Sequence, residues 1–141
     1  MNTRNEHMQT YVLLGMRLLL AFIFLWHGVP KAFYVSWAMD KFVGFGLPGI
    51  LGPITGWVEV IASIGLILGF WHTWSNAFLA LIILGALVTV QFPNGMQAGL
   101  ERDLMILAGL LVLIVTGPGQ LALDAKRSES TAPSGSFTAS H

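Results

Sequence analysis

Apolar residues fall into four long runs, over residues 11–26, 54–70, 74–92 and 104–116, separated by short segments rich in Gly, Pro and polar residues. A helix that crosses a bilayer takes roughly 20 residues, within a range of about 17–25. The first and third runs meet that length once their flanks are added, and the second lies at its lower limit. The fourth reaches it only by extending upstream through Glu101, Arg102 and Asp103. The pattern predicts spans over about residues 11–29, 54–70, 74–92 and 101–118. The fold class expected is all-α: an integral membrane four-helix bundle.

The junctions carry turn chemistry. His27, Gly28, Val29 and Pro30 are expected to end the first helix, because proline lacks a backbone donor and biases the preceding residue away from helix. The longest connection, residues 31–53, holds Trp37, Met39, Asp40, Lys41, Phe42 and Phe45 before a Gly-Leu-Pro-Gly turn. It reads as a short amphipathic helix lying in the interface between helices 1 and 2. Residues 70–74 form a tight hairpin with interfacial tryptophans, and Pro93, Asn94 and Gly95 close the third helix. Residues 1–10 are a polar N-terminus, 11–124 the membrane domain, and 125–141 a disordered tail without apolar periodicity.

Composition agrees with lipid as the solvent. Of the 141 residues 55% are hydrophobic and 10% charged, with a mean hydropathy of +0.71. Soluble domains carry about 25% charged residues. The first apolar run is too long for the h-region of a signal peptide, and no A-x-A-like cleavage site follows it. The formal net charge of zero offers no electrostatic footprint for nucleic acid. The absence of cysteine excludes thiol catalysis, disulfides and cysteine-ligated metals. The histidines, at positions 7, 27, 72 and 141, have no paired spacing, so no metal site is expected.

Against this background the ionisable residues inside the runs stand out, since each costs at least ~2.5 kcal/mol near the membrane centre on insertion scales. Four spans place both termini on one face, side one. Arg17 then lies about 9 Å below side one, and Glu59 about 9 Å below side two, so the two are not expected to pair. The expected side-two set is His27, Lys31, Glu59, Gln91, Glu101, Arg102 and Asp103. Gly52, Gly56, Glu59 and Ser63 share a helix stripe, which turns Glu59 toward a packing groove of small residues rather than toward lipid. Arg17 is expected to reach Thr116 or Asp124. Candidate ligand-binding residues are His27, Lys31, Glu59, Glu101 and Asp103; Arg17, Ser63 and Gln91 read as structural intramembrane polar groups. Loop lysines and arginines are tied at three on each side, so orientation stays open; cytoplasmic termini are the working expectation.

These residues resemble the DoxX family of small membrane proteins over about residues 14–124. The family's intramembrane arginine and H-G-x-x-K pattern corresponds to Arg17, His27, Gly28 and Lys31. Its G-x-x-E and L-x-L-G pattern corresponds to Gly56, Glu59, Leu66, Leu68 and Gly69. Gly44 to Pro48 is similar to its f-x-x-lGlP segment, and Gly99, Glu101, Gly117, Gly119, Leu123 and Asp124 to its C-terminal motif. The chain departs from the family at Ala62 and Ser63, which replace a glycine pair, and at residues 70–74, where a basic residue is usual. The resemblance implies a multi-pass protein of the inner (plasma) membrane. It also implies a link to quinone-coupled oxidation, as in the membrane subunit of a thiosulfate:quinone oxidoreductase, or to oxidative-stress complexes.

Two functions compete on these grounds. One is a quinone-binding membrane component of an oxidoreductase system, with quinone as a lipid-soluble substrate, no covalent cofactor, and electrons from a redox partner. The other is a non-catalytic scaffold or assembly partner docking through residues 31–53. A small transporter is a third reading, without a broken inverted repeat to support it. A homo-oligomer is compatible with each of them.

Overall fold

The computed structural model describes residues 3–93, 98–117, 119 and 122. Among these there are five α-helices and no strand: α1 (Thr3–Phe33), α2 (Val35–Gly44), α3 (Leu51–Leu68), α4 (His72–Ala86) and α5 (Ala98–Thr116). A π-helical segment, Leu87–Gln91, continues α4. Helices α1, α3, α4 and α5 form the bundle, and α2 is the short helix between the first two. The expected tail and the Asn94–Gly95 turn lie outside the described residues.

Large apolar side chains cover the outside, among them Leu19, Phe22, Trp26, Ile61, Leu81, Met105 and Val115. The core, built on Leu20, Phe24, Leu66, Leu79, Leu110 and Leu113, is apolar as well. A helix apolar all round is the mark of a membrane span. The segments His7–Phe33, Leu51–Leu68 and His72–Gln91 are long and apolar enough to cross a membrane. Helix α5, of 19 residues, carries Glu101, Arg102 and Asp103 near its start. Its length of about 28 Å matches a hydrocarbon core of about 30 Å only if that charged turn sits at the boundary.

Helix α1 does not stop at Pro30, as the junction chemistry had implied. It runs on to Phe33 with the proline inside it. The missing N–H frees only the carbonyl one turn back, at Trp26, close to the helix end. Beyond Pro30 the ladder resumes, with Tyr34 N–H donating to the Pro30 carbonyl at 2.9 Å. The extra turn matters because it carries Lys31.

Close approach of α1 to α3 rests on glycine. A Cβ on Gly56 would fall 2.5 Å from the Ala32 backbone nitrogen, and one on Gly28 would fall 2.8 Å from Glu59 Cβ. Gly52 plays the same part against Ala38 of α2, where a Cβ would come within 2.5 Å of a carbonyl oxygen. Small residues at this spacing let membrane helices touch backbone to backbone. At the far end of α3, Gly69 (φ 67°) and Trp71 (φ 50°) are both left-handed and turn the chain into α4.

Candidate functional site

Helix α3 presents Gly52, Gly56, Glu59 and Ser63 on one buried face. Ser63 Oγ donates to the Glu59 carbonyl of its own helix at 2.6 Å, so its hydroxyl is satisfied locally. Glu59, 2% exposed, is held from α1. Lys31 Nζ donates to Glu59 Oε1 at 2.5 Å in an ion pair. The pairing follows from helix geometry. Side chains lean toward the N-terminus of their helix, so Lys31 near the end of α1 reaches back into the membrane. Glu59, on the antiparallel α3, leans outward to meet it. Glu59 Oε2 is buried and has no hydrogen-bond partner among the described residues. Gly28 of α1 lies beside it, where an added Cβ would stand 3.2 Å from that oxygen.

A second polar pair faces the first from the other half of the bundle. Gln91 Nε2 donates to Asp103 Oδ2 at 2.9 Å, and Arg102 Nε donates to Asp103 Oδ1 at 3.0 Å. Gln91 lies at the end of the π-helical turn and packs on Gly99, where a Cβ would come within 2.6 Å of its amide. Single π turns inside α-helices are frequent at functional sites; here the segment ends on Gln91.

Between the two pairs lies a cavity of about 800 Å³. Its polar lining includes His27, Lys31, Lys41, Glu59, Gln91, Arg102 and Asp103; its apolar lining includes Phe24, Trp37, Phe42, Phe45 and Ile106. Lys41 lies 4.6 Å over the Trp37 ring. A crevice of about 290 Å³ adjoins it, lined by Phe22, Ile23, Trp26, His27 and Arg102. The size suits a drug-sized ligand, and apolar walls with a few convergent polar groups are the usual make-up of such sites.

The structure therefore brings His27, Lys31, Glu59 and Asp103 to one cavity, together with Gln91. Glu101 stands apart, exposed on α5 and outside the cavity lining. Arg17 is fully buried near the opposite end. Its Nε and Nη2 donate to the Leu66 and Ile67 carbonyls at 3.0 Å each, where α3 leaves carbonyls unpaired. Of the contacts expected for it, Thr116 instead bonds within α5, to the Val112 carbonyl, and Asp124 lies outside the described residues.

A further buried polar group begins within residues 70–74, expected as a tight hairpin with interfacial tryptophans. His72 and Asn76 are fully buried at the start of α4, with Ser75 nearly so. His72 Nε2 donates to the Leu113 carbonyl at 2.8 Å, and Asn76 Nδ2 donates to the His72 carbonyl at 2.8 Å. The legible signal was polar residues at positions 72, 75 and 76, an i, i+3, i+4 face at the head of an apolar run.

A small bundle of membrane-spanning helices with a polar-floored cavity at one end defines the class: an integral membrane protein with an intramembrane pocket. The DoxX family profile matches residues 12–91, and the chain belongs to the DoxX family. It is 27% identical to "Putative oxidoreductase CatD" of Bacillus subtilis (strain 168), over 77% of this chain and 81% of that one. It is also 27% identical to "Uncharacterized membrane protein Rv3486" of Mycobacterium tuberculosis (strain ATCC 25618 / H37Rv), over 80% of this chain and 79% of that one. No solved structure matches. The family's motifs acquire physical meaning here. In H-G-x-x-K, Gly28 makes room for Glu59 and Lys31 pairs with it; in G-x-x-E, Gly56 admits the α1 backbone that carries Lys31.

Proposed function

We propose that the cavity binds a lipid-soluble molecule with a polar head, of the quinone class, and that the protein serves as the quinone-binding membrane component of an oxidoreductase system. The observation that carries this reading is the cavity of about 800 Å³ whose mostly apolar walls converge on two facing polar pairs, Lys31–Glu59 and Gln91–Asp103. A quinone head has two carbonyl acceptors on opposite edges of a flat ring. Lys31, His27 and the Gln91 amide are donors for such acceptors. Glu59, with one oxygen free of hydrogen bonds, is placed to exchange a proton with a bound head, the kind of role buried carboxylates fill. Electrons would come from a reduced partner protein or a diffusible reductant. The name of the Bacillus subtilis relative points the same way.

The scaffold reading needs residues 31–53 as a free docking surface. Yet Trp37, Ala38, Lys41 and Phe42 of α2, with Phe45 just beyond it, line the cavity, so one side of this segment is a wall of the pocket; its outer side, with Val35, Met39 and Val43 exposed, is what a docking partner would meet.

The test is saturable binding of decylubiquinone to the purified protein in nanodiscs, wild type against Glu59→Gln. Binding by wild type, weakened at least about tenfold in the variant (about 1.4 kcal/mol), supports the site. No saturable binding to folded wild type returns the weight to the scaffold.

A further inference from the structure

The cavity reaches the outer surface of the bundle along α4. Leu81, Gly85 and Thr89 line it at i, i+4, i+8 spacing. Leu81 is nevertheless 66% exposed, and Gly85 is exposed too. Along this edge the cavity wall and the lipid-facing surface are the same residues. A Cβ added at Gly85 would meet nothing within 4 Å, and the glycine has a negative φ. Neither close helix packing nor a left-handed backbone explains it, in contrast to Gly56 or Gly69. A glycine in mid-helix costs about 1 kcal/mol relative to alanine, and what it provides at this position is a gap in the wall.

Depth places the gap inside the hydrocarbon. Gly85 lies six residues before Gln91, about 9 Å below the α2 end of the bundle. Glu59 lies eight residues from the start of α3 at that same end, about 12 Å down. The opening and the buried carboxylate are close to one level.

Resting on the reading of the cavity given above, we infer that Gly85 is the sill of a lateral portal through which the hydrocarbon tail of the bound amphiphile passes into the bilayer while its head stays in the cavity. Lipid chains are as apolar as leucine side chains, so a tail gains nothing by withdrawing from lipid into the protein. A long-tailed ligand can seat its head only where the wall lets the tail remain in lipid. A tail-less head group has a second approach, the crevice between α1 and α5, which shares Ile23, Trp26, His27 and Arg102 with the cavity lining. That crevice is smaller, about 290 Å³ against about 800 Å³, and Arg102 and His27 stand beside the apolar Phe22, Ile23 and Trp26 that line it; if the tail left by this route instead, Gly85→Phe would leave long-tailed binding unchanged.

The test substitutes Gly85→Phe, which fills open space rather than a packed contact, with Gly85→Ala as the conservative partner. Binding of a long-isoprenoid ubiquinone and of 2,3-dimethoxy-5-methyl-1,4-benzoquinone, its tail-less head, is measured in nanodiscs for wild type and both variants. The expected result is at least about a tenfold loss for the long-tailed probe in Gly85→Phe (about 1.4 kcal/mol), with the tail-less probe held within about twofold and Gly85→Ala close to wild type. Equal binding of both probes to wild type and Gly85→Phe overturns the portal and leaves the cavity reading standing. Loss of both probes in a folded Gly85→Phe protein also overturns it, since the substitution then blocks the head site itself. Failure of both probes on wild type overturns the cavity reading, and the portal with it.

Discussion

The two ends of the bundle both bury polar side chains, and they use them differently. Near the end opposite α2, Arg17, His72 and Asn76 are packed against backbone: Arg17 on the Leu66 and Ile67 carbonyls, His72 on that of Leu113, Asn76 on that of His72. At the α2 end, Lys31, Glu59, Gln91 and Asp103 bond side chain to side chain around open space. The bonds of Arg17 to the α3 backbone and of His72 to the α5 backbone fasten helices that cannot part without losing them, while Asn76 bonds within α4. Side-chain pairs facing a cavity can be exchanged for bonds to a ligand. Among the described residues each end has one buried oxygen without a hydrogen-bond partner, Asn76 Oδ1 and Glu59 Oε2. Only Glu59 belongs to the lining of the large cavity. An intramembrane polar residue is therefore a weak sign of function by itself; the space beside it decides.

The largest effect is expected at Lys31. Lys31→Met leaves the Glu59 carboxylate buried without its cation, and removing one partner of a buried pair costs about 3–5 kcal/mol. The double variant Lys31→Met/Glu59→Gln should recover most of that stability in a reversible unfolding titration, while decylubiquinone binding stays lost. Failure to recover would make the pair a fold element like those at the other end.

Arg17→Leu should lower unfolding stability by about 2–3 kcal/mol, because two carbonyls at the end of α3 lose charged donors. Quinone affinity should stay within about twofold of wild type, since the substituted side chain lies far from the cavity (about 0.4 kcal/mol). A comparable fall in affinity at unchanged stability would contradict the division drawn between the ends.

The smallest effect is expected at Asn76→Leu. Even interhelical polar contacts in membranes average only about 0.6 kcal/mol, Asn76 bonds within its own helix, and this change also removes Oδ1, which has no partner among the described residues. A thermal shift equivalent to less than about 1 kcal/mol, with binding unchanged, sharpens the view of this end as packing; a larger loss would assign Asn76 a partner of real weight.

Much of this organisation was legible in the chain. The apolar runs fixed the membrane class, and rise per residue separated Arg17 from Glu59 by depth without any structure. The stripe of Gly52, Gly56, Glu59 and Ser63 correctly turned Glu59 inward. Depth also drew His27, Lys31, Gln91 and Asp103 to Glu59's level. What depth cannot give is azimuth. Successive residues of a helix are turned by about 100°, so Glu101 faces outward while Asp103, two positions on, faces the cavity. Pro30 misled for a related reason: proline's penalty falls on the turn before it, and near a helix end that turn has little to lose.

Legible without the fold were the membrane class, the number of long helices, a short helix between the first two, and the end at which the charges gather. These follow from hydrophobic run length and helical rise, which are local properties of the chain. Only the tertiary structure decided that Glu59 pairs with Lys31, that Gln91 is turned onto Asp103 by a π-helical segment, that Arg17 fastens the end of α3, and that a cavity separates the two facing pairs. Those outcomes depend on how each helix is rotated about its axis, and that rotation is set by glycine contacts between helices distant in sequence.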